Sequence, residues 1–305
     1  MPQPYHSLAD VHLNNAWLTI GVFDGIHRGH QEIIKQLTAG AHTNNAPAVA
    51  LTFNPHPAFV LTGKQIACLT TPDERAALLF NLGIDAVINM EFTRQLAGHS
   101  AEDFMADLKQ HLGLQHLLIG YDFALGKNRA GTFDRLSQIG LQLGYQVSAV
   151  EPFQINNEVI SSTLIRQSIA EGEVALAAKK LGRNYSISGP VIPGDGRGHT
   201  IGIPTANLEI APGKAIPANG VYACRALTVD GMYKAVVNIG LRPTFTSTEV
   251  LPRVEAHLLE YNADLYGQNV TLEFVERLRP EQKFSSVEAL IAQIQADIIS
   301  AQQVL

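Results

Sequence analysis

Residues 17–37 read WLTIGVFDGIHRGHQEIIKQL. An apolar run, WLTIGVF, delivers the chain to Asp24-Gly25. GHQEIIKQL then opens a helix whose apolar face is Ile33, Ile34 and Leu37. His27 and His30 therefore stand at a strand-to-helix turn and in the helix's first turn. Backbone N–H groups point out of a helix N-terminus, and its dipole favours an anion. Gly21, Gly25 and Gly29 let backbone approach a phosphate closely, and imidazoles add directed donors. Nucleotidyl transfer builds charge on the α-phosphate oxygens. Preplaced donors lower that barrier, each by on the order of 10²–10³ in rate by analogy with oxyanion holes. Taken alone, a histidine pair in a glycine-rich turn is more often structural than chemical.

Outward from this stretch, to about residue 182, short apolar runs (AVALTF, AVINM, HLLIG, VSAVEPF) alternate with helical patterns. The runs are rich in Val, Ile and Leu, as strands buried on both faces are. TPDERAALLFNLG has Thr71 as N-cap, Pro72 at the first helical position, Glu74 closing a capping box and Gly83 as stop. SAEDFMADLKQHLG begins at Ser100 and ends at Gly113 in the same manner. Such alternation predicts a mostly parallel α/β sheet, with ligands at the carboxyl ends of its strands.

After Gly182 the rhythm changes. YSISGPVI, GVYACRALTV, MYKAVVNIG, RVEAHLLEY and NVTLEFVERL read as strands with little helix between them, and Asp230-Gly231 is a hairpin signal. Regular strands without helices predict a small barrel or sandwich, and SSVEALIAQIQADIIS closes the chain as an amphipathic helix. Two domains are expected, 1–182 and 183–305, without repeats or low-complexity tracts.

The totals agree with two ordinary domains: 305 residues, 46% hydrophobic, net charge −6. An acidic balance disfavours bulk nucleic-acid binding. The two cysteines, Cys68 and Cys224, stand far apart with no CxxC, which excludes a disulfide framework and suits a reducing cytoplasm. MPQPYHSLAD has neither a basic n-region nor an apolar h-region, and no apolar run reaches the ~18 residues of a membrane span. The oligomeric state is not legible.

A second constellation is GDGRGHTIGIPTANL, 194–208. Gly196, Gly198 and Gly202 make a loop able to fold over phosphates with backbone N–H groups, although turns use glycine routinely. Thr205 and Asn207, two apart on an extended segment, face the same way and offer hard oxygen donors that suit Mg²⁺. In RVEAHLLEY, Glu255 and His257 share one face and Val254, Ala256 and Leu258 the other. A strand carboxylate at Glu255 could take a proton from a primary hydroxyl, worth roughly 10²–10⁴. From pattern alone a solvated strand charge accounts for it as well.

The chain resembles the HxGH nucleotidyltransferases, and more closely the bifunctional bacterial riboflavin kinase/FAD synthetases. The pattern G-x-F-D-G-x-H-x-G-H-Q is complete from Gly21 to Gln31. FNPHP (53–57), GYDFALGKNRAG (120–131) and ISSTLIR (160–166) follow in family order. GIPTANL, NIGLRPTF, VEAHLLEY, DLYG and LRPEQKF continue the match through the second half. The resemblance implies a Rossmann-like domain followed by a Greek-key β-barrel. It implies ATP-dependent phosphorylation of riboflavin to FMN, then AMP transfer from ATP to FMN, giving FAD and pyrophosphate, with Mg²⁺ at both steps. His27 and His30 would contact the ATP phosphates, in an ATP-binding loop made by Gly21, Phe23, Asp24, Gly25 and Gly29. Asn54 would lie beside them, and Ser162, Thr163 and Arg166 would cross the triphosphate. Thr205 and Asn207 would bind Mg·ATP and Glu255 would be the kinase base. Asp122 and Phe123 fall where the family carries Gly-x-Asp-Phe-x-Phe-Gly, and with Arg129 beyond that run they would lie on the flavin side. Leu125 replaces the second Phe, and Lys127 and Arg129 equally suit a phosphate or a solvated face. TSTEVLPR is less glycine-rich than the family's loop.

GYDFALGKN is not a P-loop: its glycine spacing is one residue too long and Asn128 replaces Ser/Thr. GDGRGHTIG opens no helix, so it is no dinucleotide fingerprint. Two rival readings remain. One is an HxGH enzyme acting on another phosphate ester, which the PTAN half argues against. The other is a non-catalytic flavin-binding regulator, which would need an effector module that the sequence does not supply.

Overall fold

The computed structural model describes residues 2–194, 202–242 and 251–305. Chain contacts divide it into two units, Met1–Ser162 and Thr163–Leu305.

The first unit is built on five parallel strands: β1 (Trp17–Ile20), β2 (Ala48–Asn54), β3 (Ala86–Glu91), β4 (His116–Gly120) and β5 (Gln146–Val150). They lie in the order β3-β2-β1-β4-β5. Between them come α1 (Arg28–Thr43), α2 (Pro57–Thr62), α3 (Pro72–Asn81), α4 (Arg94–Ala97), α5 (Ala101–Leu112) and α6 (Phe133–Leu143). A two-stranded ribbon, β6 (Gln154–Ile155) and β7 (Glu158–Val159), follows β5. Two apolar clusters form the core. Leu18, Ile20, Leu51 and Ile119 pack with Phe104, Met105 and Leu108 of α5. Ala48, Ala50 and Val87 pack with Ile34 and Leu37 of α1 and Leu79 of α3. Alternate residues of β1 and β2 thus serve opposite faces, which is why these strands are mostly apolar. The order reverses between β1 and β4, so the crevice beyond their carboxyl ends is the switch point where ligands of such sheets bind.

The local signals act as read. Thr71 and Glu74 exchange both capping-box bonds, Ser100 caps α5, and Gly113 ends it in the left-handed conformation. WLTIGVF yields only four strand residues. Val22 and Phe23 have left the sheet, and Phe23 stays apolar because it is buried in the loop.

Helices α7 (Ser162–Glu171) and α8 (Val174–Leu181) lead to β8 (Tyr185–Ile192), and α8 packs against β8 and the last strand, β13 (Asn269–Arg279). With β9 (Ala206–Leu208), β10 (Gly220–Thr228), β11 (Gly231–Arg242) and β12 (Leu251–Leu258), these strands close a six-stranded antiparallel barrel. Its order is β10-β11-β12-β9-β8-β13. The connections β9–β10 and β12–β13 pass over neighbours, as in a Greek key. Strand β8 alternates inward Tyr185, Ile187 and Val191 with outward residues. The closing helix α9 (Val287–Val304) lies on β10, β11 and β13.

Candidate active sites

The first site is assembled at the switch point. His27 caps α1: its Nδ1 accepts from the His30 N–H at 3.4 Å. The two rings stack with centroids 3.7 Å apart and 19° between planes, and Phe23 meets His30 edge-on at 5.2 Å. Because His27 Nδ1 is an acceptor, its proton sits on Nε2, which is a donor. Burial outweighs the field of Asp24 and lowers the His27 pKa to about 4. His30 is held well below its usual range by desolvation, then by His27 and Arg75. Both rings are therefore neutral donors at neutral pH. His30 Nδ1 is buried without a hydrogen-bond partner, an orphan polar atom of the kind a ligand satisfies.

The loop is held under strain. Phe23 and Ile26 have φ of 50° and 40°, a region β-branched and bulky residues avoid. Their burial at 2% and 0% exposure over-determines it. A side chain at Gly29 would crowd the imidazole: a Cβ there would lie 3.1 Å from His27 Cε1. Asp24 is buried and faces inward. Its Oδ1 accepts from the Leu69 N–H (2.8 Å), the Thr70 N–H (3.0 Å) and the Thr70 hydroxyl (3.3 Å). The Gly25 N–H goes to Thr70 Oγ1 and the Gly21 N–H to Leu51 O. The first amides of α1, at Arg28 and Gly29, are the backbone donors that this helix N-terminus could offer an anion.

Asn54, Asp122 and Phe123 arrive at the same end of the sheet. Asn54 is exposed at the last position of β2. Asp122 and Phe123 follow β4; Phe123 packs on the core, and Arg129 donates to Asp122 O at 3.0 Å. Ser162, the last residue of the first unit, donates to Asp24 O of the histidine loop at 2.8 Å. Thr163 and Arg166 belong by packing to the second unit, where Arg166 Nη2 meets Thr163 Oγ1 at 3.3 Å. Sequence reasoning missed Arg75. It is 4% exposed and donates to Val22 O at 3.0 Å and Phe53 O at 3.2 Å.

The second site lies on the barrel. Register places Glu255 between Asn238 of β11 and Asn207 of β9. Arg253 was not singled out in the sequence. Its Nε stands 2.9 Å from Glu255 Oε1 and 2.7 Å from Asn207 Oδ1. The period-two rule that placed Glu255 and His257 together puts Arg253 on the same face. His257 Nδ1 donates to Pro204 O at 2.7 Å. A Cβ at Gly194 would lie 2.1 Å from Asn207 Nδ2 and 3.0 Å from Arg253 Nη2, so glycine begins the loop here for lack of space. Gly196 and Gly198 lie outside the described residues. Gly202 has φ 75° with open space around it. Beside Thr205 is a cleft of about 410 Å³ that Tyr261 and the Asp264-Leu265-Tyr266 turn help to line. Among the described residues no cluster of three His, Cys, Asp or Glu side chains could hold a metal. Thr205 and Asn207 fit Mg²⁺ only as a minority of its ligands: they are neutral hard oxygens, and Arg253 leaves Asn207 Oδ1 one lone pair. Such an ion draws its other ligands from phosphates and water.

Comparison with known proteins finds a family for each half of the chain. A sequence model of FAD synthetase matches residues 10–164 and one of riboflavin kinase matches 181–305. The bifunctional riboflavin kinase/FMN adenylyltransferase of Escherichia coli (strain K12) is 36% identical over 301 residues, covering 98% of this chain and 95% of that protein. The protein so named in Listeria monocytogenes is 35% identical, covering 93% and 90%. A crystal structure of a Streptococcus pneumoniae protein described as a macrolide-efflux protein superposes with a TM-score of 0.90, at 30% identity over 98% of each chain. In the present chain no described helix is long and apolar enough to cross a membrane.

Proposed function

The chain belongs to the bifunctional riboflavin kinase/FMN adenylyltransferase family, and from that premise we propose how its residues share the two reactions. It serves flavin cofactor biosynthesis, converting riboflavin to FMN and FMN to FAD, with ATP as the substrate both activities imply. The observation that carries the assignment is the His27–His30 pair, two stacked neutral imidazoles at a helix N-terminus on the switch point of a parallel sheet.

Adenylyl transfer falls to residues 1–182. An FMN phosphate oxygen attacks the α-phosphorus of ATP, and pyrophosphate leaves. His27 Nε2–H, the His30 ring and the first amides of α1 donate to phosphate oxygens as charge gathers there. Asn54 and Ser162 add donors within this unit, and Thr163 and the planar fork of Arg166 bind phosphate as the family resemblance implies. Asp122, Phe123 and Arg129 take the flavin side. Asp24, Gly21 and Gly25 shape the loop rather than touch phosphate. Helix α7 goes with this half because Ser162, Thr163 and Arg166 serve it, and α8 follows it in the chain, although α8 packs with the barrel.

Phosphorylation falls to residues 183–305. Glu255 takes the proton of riboflavin's primary hydroxyl as that oxygen bonds the γ-phosphorus of ATP and ADP leaves. Thr205 and Asn207 would hold Mg²⁺, which when bound neutralises phosphate charge. Gly196, Gly198 and Gly202 let the loop close over phosphates. Two distant cysteines and a net charge of −6 support a cytoplasmic enzyme acting on small molecules rather than nucleic acid.

The test is product analysis after incubation with riboflavin, ATP and Mg²⁺. His30→Ala should accumulate FMN without FAD. Glu255→Ala should form no FMN yet make FAD from supplied FMN. A folded variant that lost both activities, or neither, would overturn the division.

A further inference from the structure

Arg75 is a buried cation under the carboxyl ends of two neighbouring strands. We propose that it is a positioning residue for adenylyl transfer: its guanidinium bridges Val22 O and Phe53 O and so fixes the spacing between the histidine loop and Asn54. The proposal rests on the assignment of adenylyl transfer to the first unit.

Strands β1 and β2 are in register up to Ile20 and Leu51, and one further bond joins Gly21 N–H to Leu51 O. Beyond that point they part. Val22 enters the loop that carries His27 and His30, while Phe53 leads directly into Asn54. Two side chains span the gap. Thr52 Oγ1 donates to Val22 O at 2.9 Å. Arg75 reaches both sides, with Nη1 3.0 Å from Val22 O and Nη2 3.2 Å from Phe53 O. A planar fork with fixed donor directions sets a distance between two acceptors in a way a single flexible ammonium does not.

Packing alone does not account for an arginine here. Its α3 neighbours Ala76 and Leu79 are buried in the apolar core, where an aliphatic side chain would fit without desolvating a charge. Arg75 is 4% exposed, and its Nε has no hydrogen-bond partner. Burial depresses its pKa, and the nearby carboxylate of Asp24 works against that shift. An arginine kept under these conditions, with one donor on each of the two carbonyls that bracket the site, is placed for geometry. Misplacing a group by about 1 Å can cost on the order of 10² in rate.

The experiment compares Arg75→Met and Arg75→Lys in the full-length enzyme. The sole tryptophan, Trp17, lies on β1 and reports folding of this unit by fluorescence. The expected result for Arg75→Met is a kcat for FMN adenylylation lower by about 100-fold with little change in KM for ATP. Arg75→Lys, which keeps the charge and one of the two bonds, should recover part of that loss. Riboflavin phosphorylation should be unchanged in both. If the Trp17 transition moves while kcat per folded enzyme stays within about twofold, Arg75 only packs and the proposal falls. Should Arg75→Met fail to fold, Arg75→Lys decides: a kcat loss above about fivefold at constant KM supports positioning, and wild-type kcat overturns it. His30→Ala run alongside separates the two failures. If it still makes FAD, the site assignment is wrong; if it makes none while both Arg75 variants match wild type, only the present inference is wrong.

Discussion

His27 and His30 face each other ring to ring, centroids 3.7 Å apart, and the Nδ1 of the first accepts the backbone N–H of the second. A proton added at His27 Nδ1 would break the helix cap and set a cation against a buried neighbour. The structure therefore favours the neutral pair, and this links folding to pH.

The unfolded chain takes up a proton on His27 near pH 6.5, whereas the folded protein resists until about pH 4. Stability from this residue is complete above pH 6.5 and is lost as pH falls through that interval. A shift of this size corresponds to on the order of 3 kcal/mol, and His30, also shifted down, acts in the same sense. Urea unfolding followed by Trp17 fluorescence from pH 7.5 to 4.5 should show declining stability. His27→Asn, which keeps a capping oxygen, should flatten part of the slope. An identical slope in the variant would show that His27 is not the group responsible.

Asp24 ties residues 69–70 to the histidine loop through a single oxygen that three donors share. Asp24→Ala would strand those donors in the interior, at a cost of about 2–4 kcal/mol, and should lower FAD formation while FMN formation continues. Asp24→Asn keeps an acceptor oxygen and should fall between. Equal stability of the alanine variant and wild type in the Trp17 transition would contradict this.

Local signals carried far in this chain. The caps at Thr71 and Ser100, the glycine stop at Gly113 and the strand-to-helix turn at His27 depend on neighbours within a few residues, and all were legible. Long-range chemistry was not. Nothing near Arg75 in TPDERAALLFNLG says that its head will meet Val22 and Phe53, because that meeting depends on how α3 lies across the sheet. Arg253 was accessible in principle: it shares a strand face with Glu255, but the barrel register was needed to bring Asn207 to it. The ribbon β6–β7 escaped because two-residue strands have no period to read.

Arg253 holds Glu255 Oε1 and Asn207 Oδ1 at once. Arg253→Met removes a shared donor from the proposed base and the proposed magnesium ligand. Loss of orientation should lower kcat of riboflavin phosphorylation by about 10- to 100-fold. Adenylylation of supplied FMN should be unaffected. Wild-type kinase turnover in a folded variant would show that the pair is incidental.

The closing helix is held by charge as well as by apolar contact. Arg279 at the end of β13 donates through Nε and Nη2 to Asp297 of α9 at 2.8–3.1 Å, and Asp297 is 4% exposed. Removing one partner of a buried pair leaves the other charge uncompensated and costs about 3–5 kcal/mol, whereas apolar replacement of both is far better tolerated. Asp297→Ala should therefore unfold the barrel at lower urea, seen by far-UV circular dichroism, and lose kinase activity on mild heating. The double variant Arg279→Met/Asp297→Leu should recover most of the stability. If the double variant is as unstable as the single one, the helix depends on the charges themselves, and apolar packing of Ala301 against Val221, Ala223 and Val236 is too small to hold it.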